Sequence, residues 1–93
     1  MTPEIEVLRQ KIDDIEDELI SLLNRRATYA LEIGKIKRKQ DLPISDAKRE
    51  EIILNRVAKK NQGPVSDEFM KDIFKRIIEE TTAMEKSCVE NGK

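Results

Sequence analysis

The 93-residue chain is long enough for one small domain, and it carries 18 Lys and Arg against 19 Asp and Glu, a formal net charge of −1. This balance excludes a nucleic-acid binder or a membrane-surface protein that relies on bulk positive charge. The chain has no histidine, which excludes imidazole metal sites and imidazole acid–base or nucleophilic catalysis.

The N-terminal segment is predicted to form one helix over residues 3–39. Thr2 supplies a capping hydroxyl, and Pro3 suits the first helical position. Apolar residues then recur in alternating steps of three and four, which indicates a helix with one apolar seam. The two rows of this seam are Ile5, Ile12, Leu19 and Ile33, and Leu8, Ile15, Leu22, Tyr29 and Ile36. Pro43 ends the helical pattern.

The length of this helix predicts a partner chain. Thirty-seven residues span about 55 Å at 1.5 Å per residue, whereas a compact chain of this size has a diameter of roughly 32 Å. The helix therefore extends far beyond its own domain, and its apolar seam cannot stay in water. We expect a second copy of the chain to cover it.

Two shorter helices complete the prediction. The second covers about residues 46–60, with Ser45 or Asp46 as its cap, and the third covers about residues 66–88, with Ser66 as its cap. A break with turn chemistry at residues 61–64 separates them. No strand pattern is visible, so the predicted fold class is all-α: one long N-terminal helix and two shorter ones.

Arg26 does not fit the seam, because the other positions of its row hold Ile and Leu. A buried guanidinium without a partner is strongly unfavourable. Three interpretations remain open: the side chain reaches solvent at the edge of the seam, it pairs with an internal carboxylate, or it faces a cavity that holds an anionic ligand. The planar guanidinium suits the third, because it binds carboxylates through two parallel hydrogen bonds.

Two further cations lie on the same predicted helix. Lys37 follows Arg26 by three turns, about 16 Å on nearly the same face, so both could reach one small anion. A lysine near a helix end also serves simply to compensate the helix dipole in solvent. Arg9 lies about 25 Å from Arg26, too far to share a small ligand within one chain. An antiparallel partner helix would bring its own Arg9 close to Arg26, which indicates sites shared between two chains.

Two other sets of polar residues are candidates for the same site. Asp46, Arg49 and Glu50 lie at the start of the second helix, where mixed charges are also typical of an ordinary solvated first turn. Thr81 and Glu85 are four residues apart and continue the apolar row of the third helix. Glu85 is either a surface residue or part of the Arg26 cavity, and in the second case its protonation state becomes a functional variable.

Five segments of the chain carry a family resemblance. They are LRQKID at residues 8–13, LLNRR at 22–26, EIGKIK at 32–37, PISD at 43–46 with RE at 49–50, and the stretch from Ile73 to Glu79. In this order and spacing they resemble the all-helical chorismate mutase family over nearly the whole chain. The resemblance implies an intertwined homodimeric helical bundle with two active sites, each lined by both chains. Such enzymes convert chorismate to prephenate, toward phenylalanine and tyrosine.

The resemblance also implies the roles of the cations. Arg26 binds one carboxylate of the substrate, and Arg9 of the partner chain binds the other. Lys37 hydrogen-bonds the enolpyruvyl ether oxygen and a carboxylate. Arg49 supports the carboxylate network.

The remaining site residues follow from the same resemblance. Asp46 and Glu50 accept hydrogen bonds from the substrate hydroxyl or from the surrounding backbone, and Thr81 contacts the ligand. Glu85 places a second donor on the ether oxygen. An ionised carboxylate only accepts, so Glu85 can donate only when it is protonated. We expect burial beside a dianionic substrate to raise its pKa.

The implied reaction suits a chain without histidine. A unimolecular [3,3] rearrangement needs no nucleophile, metal or cofactor, because orientation and preorganised donors lower its barrier. Two alternatives stay open: an isochorismate pyruvate lyase, which resembles the same fold, and a non-catalytic dimerisation or regulatory domain. Arg26 argues against the second alternative, since a plain seam favours an apolar residue there.

The last expectations concern location and extent. The single cysteine, Cys88, cannot form an internal disulfide, and no apolar run approaches the roughly 18 residues that span a membrane. We therefore expect a cytoplasmic protein without nucleic-acid or membrane partners, in which residues 1–93 form a single domain.

Overall fold

The computed structural model describes residues 2–90, which form three helices and no strand. Helix α1 comprises Pro3–Lys39, α2 comprises Ala47–Lys60, and α3 comprises Asp67–Glu90. The all-α prediction is therefore confirmed. Met1 and residues 91–93, which the predicted domain includes, lie outside the described residues, and so do the side chains of residues 88–90, Cys88 among them.

Side-chain caps fix where each helix begins. The hydroxyl of Thr2 accepts a hydrogen bond from the Ile5 amide at 3.3 Å. Asp46 accepts one from the Arg49 amide at 3.0 Å, and Ser66 accepts one from the Phe69 amide at 3.1 Å. Asp46 and Ser66 thus precede their helices as caps, so α2 and α3 each begin one residue later than the sequence pattern predicts.

The core of the single chain is small and lies between α2 and α3. Ile53, Val57 and Ile78 are its buried apolar residues, and Leu54, Met70 and Phe74 pack against them. Helix α3 packs against both α1 and α2. Of the residues in α1, only Gly34 is buried. None of the helices in residues 2–90 is long and apolar enough to cross a membrane.

The apolar seam of α1 is uncovered in the single chain. Leu8 is 59% exposed and Ile15 is 62% exposed, and the other seam residues are exposed as well. The chain measures 57 × 27 × 14 Å with a radius of gyration of 16.9 Å, against about 12 Å for a compact chain of this length. Such a long apolar face is typical of a protein–protein contact.

The last turn of α1 redirects the chain toward α2. The Leu42 amide donates to the Lys37 carbonyl at 2.7 Å, and the Asp41 amide donates to the Arg38 carbonyl at 3.2 Å. This pair of bonds is a Schellman motif, which needs one residue in the left-handed region. Asp41 occupies that position with φ of 57°. Glycine normally fills it, because a side chain there carries a steric cost.

Replacing Asp41 should therefore change stability without touching the core. Asp41→Gly relieves the left-handed strain and should raise the free energy of unfolding by about 0.5–1 kcal/mol, whereas Asp41→Val should lower it by about 1 kcal/mol. Urea unfolding at one fixed chain concentration measures both values, since association also affects apparent stability. A valine variant as stable as the glycine variant would contradict this assignment.

Candidate active site

A cavity of about 230 Å³ lies where the three helices meet. Helix α1 contributes one wall, the connector before α2 and the first turns of α2 contribute another, and α3 contributes the third. All predicted site residues except Arg9 line it: Arg26, Lys37, Asp46, Arg49, Glu50, Thr81 and Glu85. Residues that are 55 positions apart in sequence, such as Arg26 and Thr81, meet here.

Arg26 is half-buried and faces this cavity. One of its guanidinium nitrogens donates to the Thr81 hydroxyl oxygen at 3.3 Å. Within residues 2–87, whose side chains the structure describes, no carboxylate lies at ion-pair distance from it. Of the three interpretations drawn from the sequence, the geometry supports the cavity that accepts an anion. It supports neither the internal ion pair nor the fully solvated side chain.

Thr81 holds Arg26 in place. Its side chain is 9% exposed, and its hydroxyl donates to the Ile77 carbonyl at 2.9 Å, with the Ile78 carbonyl also in reach at 3.2 Å. The hydroxyl proton is thereby committed to the backbone of α3, and the oxygen is left to accept from Arg26. Thr81 fixes the direction from which the guanidinium enters the cavity.

Lys37 is held at the other end of the cavity. Its ammonium group donates to the Ile44 carbonyl at 3.0 Å, and the residue is half-buried. The Schellman motif makes this contact possible, because it turns the connector back over the last turn of α1. Lys37 therefore does more than compensate a helix dipole in solvent. Its ammonium group keeps two further donor hydrogens beyond the one given to Ile44.

Glu85 is the buried acid of the site, with 9% of its surface exposed. Burial raises its pKa above the ordinary value, because the charged form loses hydration. The positive charges of Lys37 and, to a smaller extent, Arg26 oppose this shift. The interpretation of Glu85 as a surface residue is therefore wrong.

The charges around Arg26 favour an anion in the cavity. Burial is the main cause that lowers the pKa of Arg26, and the neighbouring positive charges of Arg49 and Arg56 lower it further, whereas Glu85 raises it. Glu85 offsets only part of the repulsion among these cations, so a further negative group in the cavity would be favourable. A small dianion would relieve it.

Residues at the start of α2 both cap this helix and line the cavity. One carboxylate oxygen of Asp46 caps the helix, as expected of an ordinary first turn. The side chains of Asp46, Arg49 and Glu50 also line the cavity. The Arg49 guanidinium is exposed and has no hydrogen-bond or ion-pair partner among the described side chains of residues 2–87, so it is available to a ligand.

Arg9 does not reach this cavity within its own chain. It lies on the exposed N-terminal half of α1 and pairs with Glu6 at 3.3 Å. Sequence reasoning did not assign seven other lining residues to the site: Tyr29, Ala30, Ile33, Ile44, Ile53, Ile78 and Thr82. Tyr29 and Ile33 follow Arg26 at helical spacing, which could have identified them, but both were assigned to the seam.

Comparison with known proteins places this geometry in a family. A family model described as chorismate mutase type II matches residues 8–86. The chain is 37% identical over 87 residues to a bifunctional chorismate mutase/prephenate dehydratase of Aquifex aeolicus, covering 89% of this chain and 24% of that protein. It is 30% identical over 91 residues to a chorismate mutase of Methanocaldococcus jannaschii, covering 97% of this chain and 92% of that protein.

A solved structure agrees with these matches. The chorismate mutase (form II) of Thermus thermophilus superposes with a TM-score of 0.87 at 34% identity, covering 89% of this chain and 94% of that one. The chain thus spans about a quarter of the bifunctional Aquifex relative and nearly all of the proteins from M. jannaschii and T. thermophilus.

The raised pKa of Glu85 predicts that the free energy of unfolding depends on pH. In the unfolded chain Glu85 ionises near its ordinary value of about 4.3, whereas in the folded chain it keeps its proton to higher pH. Wild-type stability should therefore fall as pH rises through the folded pKa, because only the folded state resists ionisation. Glu85→Gln removes this term, so the variant should be as stable as the wild type near pH 4 and more stable at pH 7.

Urea unfolding at fixed chain concentration between pH 4 and 8 measures this difference. Glu79→Gln is the matched control, since Glu79 lies on the same helix with its side chain 68% exposed. A Glu85→Gln variant that becomes less stable than the wild type as pH rises would contradict the prediction.

Proposed function

Because this chain belongs to the chorismate mutase type II family, we propose that it catalyses the rearrangement of chorismate to prephenate. One observation supports this most strongly: Arg26, Lys37 and Arg49 converge with the buried acid Glu85 on one cavity. The chain has a net charge of only −1, so this concentration of cations is local. It suits a small molecule with two carboxylates.

The rearrangement requires no covalent or proton-transfer step from the protein. In one step the ether C–O bond of chorismate breaks while a C–C bond forms between the enolpyruvyl methylene and the ring. No proton, electron or leaving group is exchanged with the protein. The barrier falls when the substrate is held in its compact conformer and when donors meet the negative charge that develops on the ether oxygen.

Binding of the two carboxylates is assigned to arginines. Arg26, braced by Thr81, forms a two-pronged contact with one carboxylate. Arg49 lines the same cavity with a guanidinium that has no hydrogen-bond or ion-pair partner in residues 2–87, and it supports the carboxylate network. Asp46 and Glu50, as carboxylates, accept hydrogen bonds from the substrate hydroxyl or from the surrounding backbone.

Stabilisation of the ether oxygen is assigned to Lys37 and Glu85. Lys37 has free donor hydrogens once Ile44 has taken one, and it serves the ether oxygen and a carboxylate. Glu85 donates to the ether oxygen in its protonated form. Its raised pKa supports this role, because burial favours the neutral acid that can donate.

The active unit is proposed to be an intertwined homodimer with shared sites. The exposed seam of α1 supports this assembly, because a second antiparallel copy of α1 would cover it. Arg9 also supports it, since its own chain leaves it about 25 Å from Arg26. In the dimer, Arg9 of the partner chain binds the second carboxylate. A single domain over residues 1–93 and a cytoplasmic location remain part of the proposal.

Loss of absorbance from chorismate, with prephenate identified as the product, tests this function. Arg26→Leu should lower kcat/KM by at least about 10²–10³-fold, because a preorganised, charge-assisted contact to the substrate is lost. Arg25→Leu is the matched control: Arg25 is the neighbouring residue of α1, exposed and absent from the cavity lining. It should keep kcat/KM within about twofold.

Other outcomes separate the alternatives. Release of pyruvate from isochorismate without turnover of chorismate would assign the lyase reaction instead. An intact dimer that turns over neither substrate would indicate a non-catalytic domain, and there Arg26→Leu should only raise stability.

Shared sites predict a specific pattern of complementation. Arg9→Ala and Arg26→Ala should each be inactive alone. When the two chains are unfolded and refolded together, mixed dimers contain one site with both arginines intact and one with neither. Random pairing makes about half of the dimers mixed, so about one quarter of wild-type activity should return.

An affinity tag carried by the Arg9→Ala chain alone captures the untagged Arg26→Ala chain in mixed dimers and so measures the efficiency of exchange. No recovery of activity in a sample that contains captured mixed dimers would contradict sites shared between two chains.

A further inference from the structure

Helices α1 and α3 approach each other closely beside the cavity at Gly34. This glycine is the one buried residue of α1, and it faces Glu85. A Cβ atom at position 34 would lie 3.2 Å from both the Cβ and the Cγ of Glu85 and 3.6 Å from its Oε2. Carbon atoms in van der Waals contact are separated by about 3.5–4.0 Å, so the stem of Glu85 fills the space that a side chain would need.

This contact restricts where the Glu85 carboxyl group lies. The Cβ of Glu85 is fixed to the backbone of α3 and can move only with that helix. The Cγ can move only by rotation about the Cα–Cβ bond, which takes the carboxyl group with it. Any side chain at position 34 would therefore displace either the helix or the carboxyl group.

The carboxyl group sits among charges from all three helices. Lys37 and Arg26 of α1 act on it most strongly, and Asp46, Arg49 and Glu50 line the same cavity from the α2 side. A displacement of a few tenths of an ångström changes its distances to these groups and to a bound substrate. Small misplacements of reacting groups are costly to rate.

We propose that Gly34 is a positioning residue: the absence of a side chain at this point of α1 sets the location of the Glu85 carboxyl group relative to Lys37 and the cavity. The inference rests on the function proposed above, because it concerns the donor to the ether oxygen. Gly34 itself touches no substrate. It acts through Glu85.

Helix formation alone does not account for a glycine at this position. Glycine weakens the interior of a helix relative to alanine, and Gly34 has no positive φ that would require it. Gly34→Ala raises helix propensity, which stabilises the fold, and introduces a close contact with Glu85, which destabilises it. The net change in stability should therefore be small. Nothing offsets the effect on catalysis, so a loss of kcat without a matching loss of stability distinguishes positioning of Glu85 from a structural role.

The test introduces Gly34→Ala into three backgrounds and measures kcat, KM and the pH profile of chorismate turnover. In the wild-type background we expect kcat to fall by about 10–100-fold while KM changes by less than about threefold, because Arg26 and Arg49 still bind the carboxylates. Because only protonated Glu85 donates, kcat/KM should fall as pH rises. The midpoint of this fall should also change in Gly34→Ala, since the carboxyl group changes its distance from Lys37.

The other two backgrounds isolate the dependence on Glu85. In Glu85→Gln, whose stem and donor occupy the same place, Gly34→Ala should again lower kcat by about tenfold or more, now without a pH effect. In Glu85→Ala, the Cβ contact remains but the Cγ and the carboxyl group that Gly34 positions are gone, so Gly34→Ala should lower kcat far less than in the Glu85→Gln background. Such non-additivity identifies residues that act together. If Gly34→Ala does not fold in the wild-type background, these two comparisons decide the question.

Ser21→Ala serves as the control for helix propensity, because Ser21 is an exposed residue of α1 outside the cavity. Equal losses of kcat from Gly34→Ala in the Glu85→Gln and Glu85→Ala backgrounds would indicate a merely structural role and overturn the inference. So would a kcat within twofold of the parent in the wild-type and Glu85→Gln backgrounds. Absence of chorismate turnover by the wild type would instead overturn the proposed function, and this inference with it.

Discussion

Positive charges that crowd around one cavity explain much of this structure. Arg26 is half-buried, repelled by the exposed Arg49 and Arg56, and without a carboxylate at ion-pair distance among the described side chains of residues 2–87. A protein selected only for stability would replace such a guanidinium with an apolar residue. Thr81 and the Ile44 carbonyl instead hold Arg26 and Lys37 apart around an open volume. Glu85 offsets part of the cost of this arrangement, and an anion in that volume would offset more of it.

The long helix α1 carries both the uncovered apolar seam and the cations of the site. One face carries the seam, which is exposed in the single chain, and the same helix carries Arg9, Arg26 and Lys37. A helix of this length cannot bury its apolar face within so small a domain, so the proposed assembly and the cavity depend on the same element. A second copy over the seam, as proposed, would also remove water from the cavity region. Each electrostatic interaction there would then become stronger.

Local signals made much of the fold predictable. The caps at Thr2, Asp46 and Ser66 and the break at Pro43 give the helix bounds to within two residues. Arg26 could be identified because it interrupts an apolar row. Three details of the site could not be predicted, because each depends on how the folded elements pack. They are the direction of the Thr81 hydroxyl, the contact of Lys37 with Ile44, and the packing of Gly34 on Glu85. The place of Arg9 in a site stays a prediction, since it depends on a second chain.

Glu85 links the stability of the protein to its proposed chemistry. Burial raises its pKa and opposes ionisation, while Lys37 and Arg26 pull in the other direction. A bound dianion would add negative charge beside the carboxyl group and neutralise part of the effect of these two cations, so the pKa would rise further. Linkage makes the effect reciprocal: the protonated form must bind the dianion more tightly than the ionised form. Substrate binding would thus favour the protonation state in which Glu85 can donate to the ether oxygen, and the same burial that weakens the empty protein near neutral pH would prepare the occupied one for reaction.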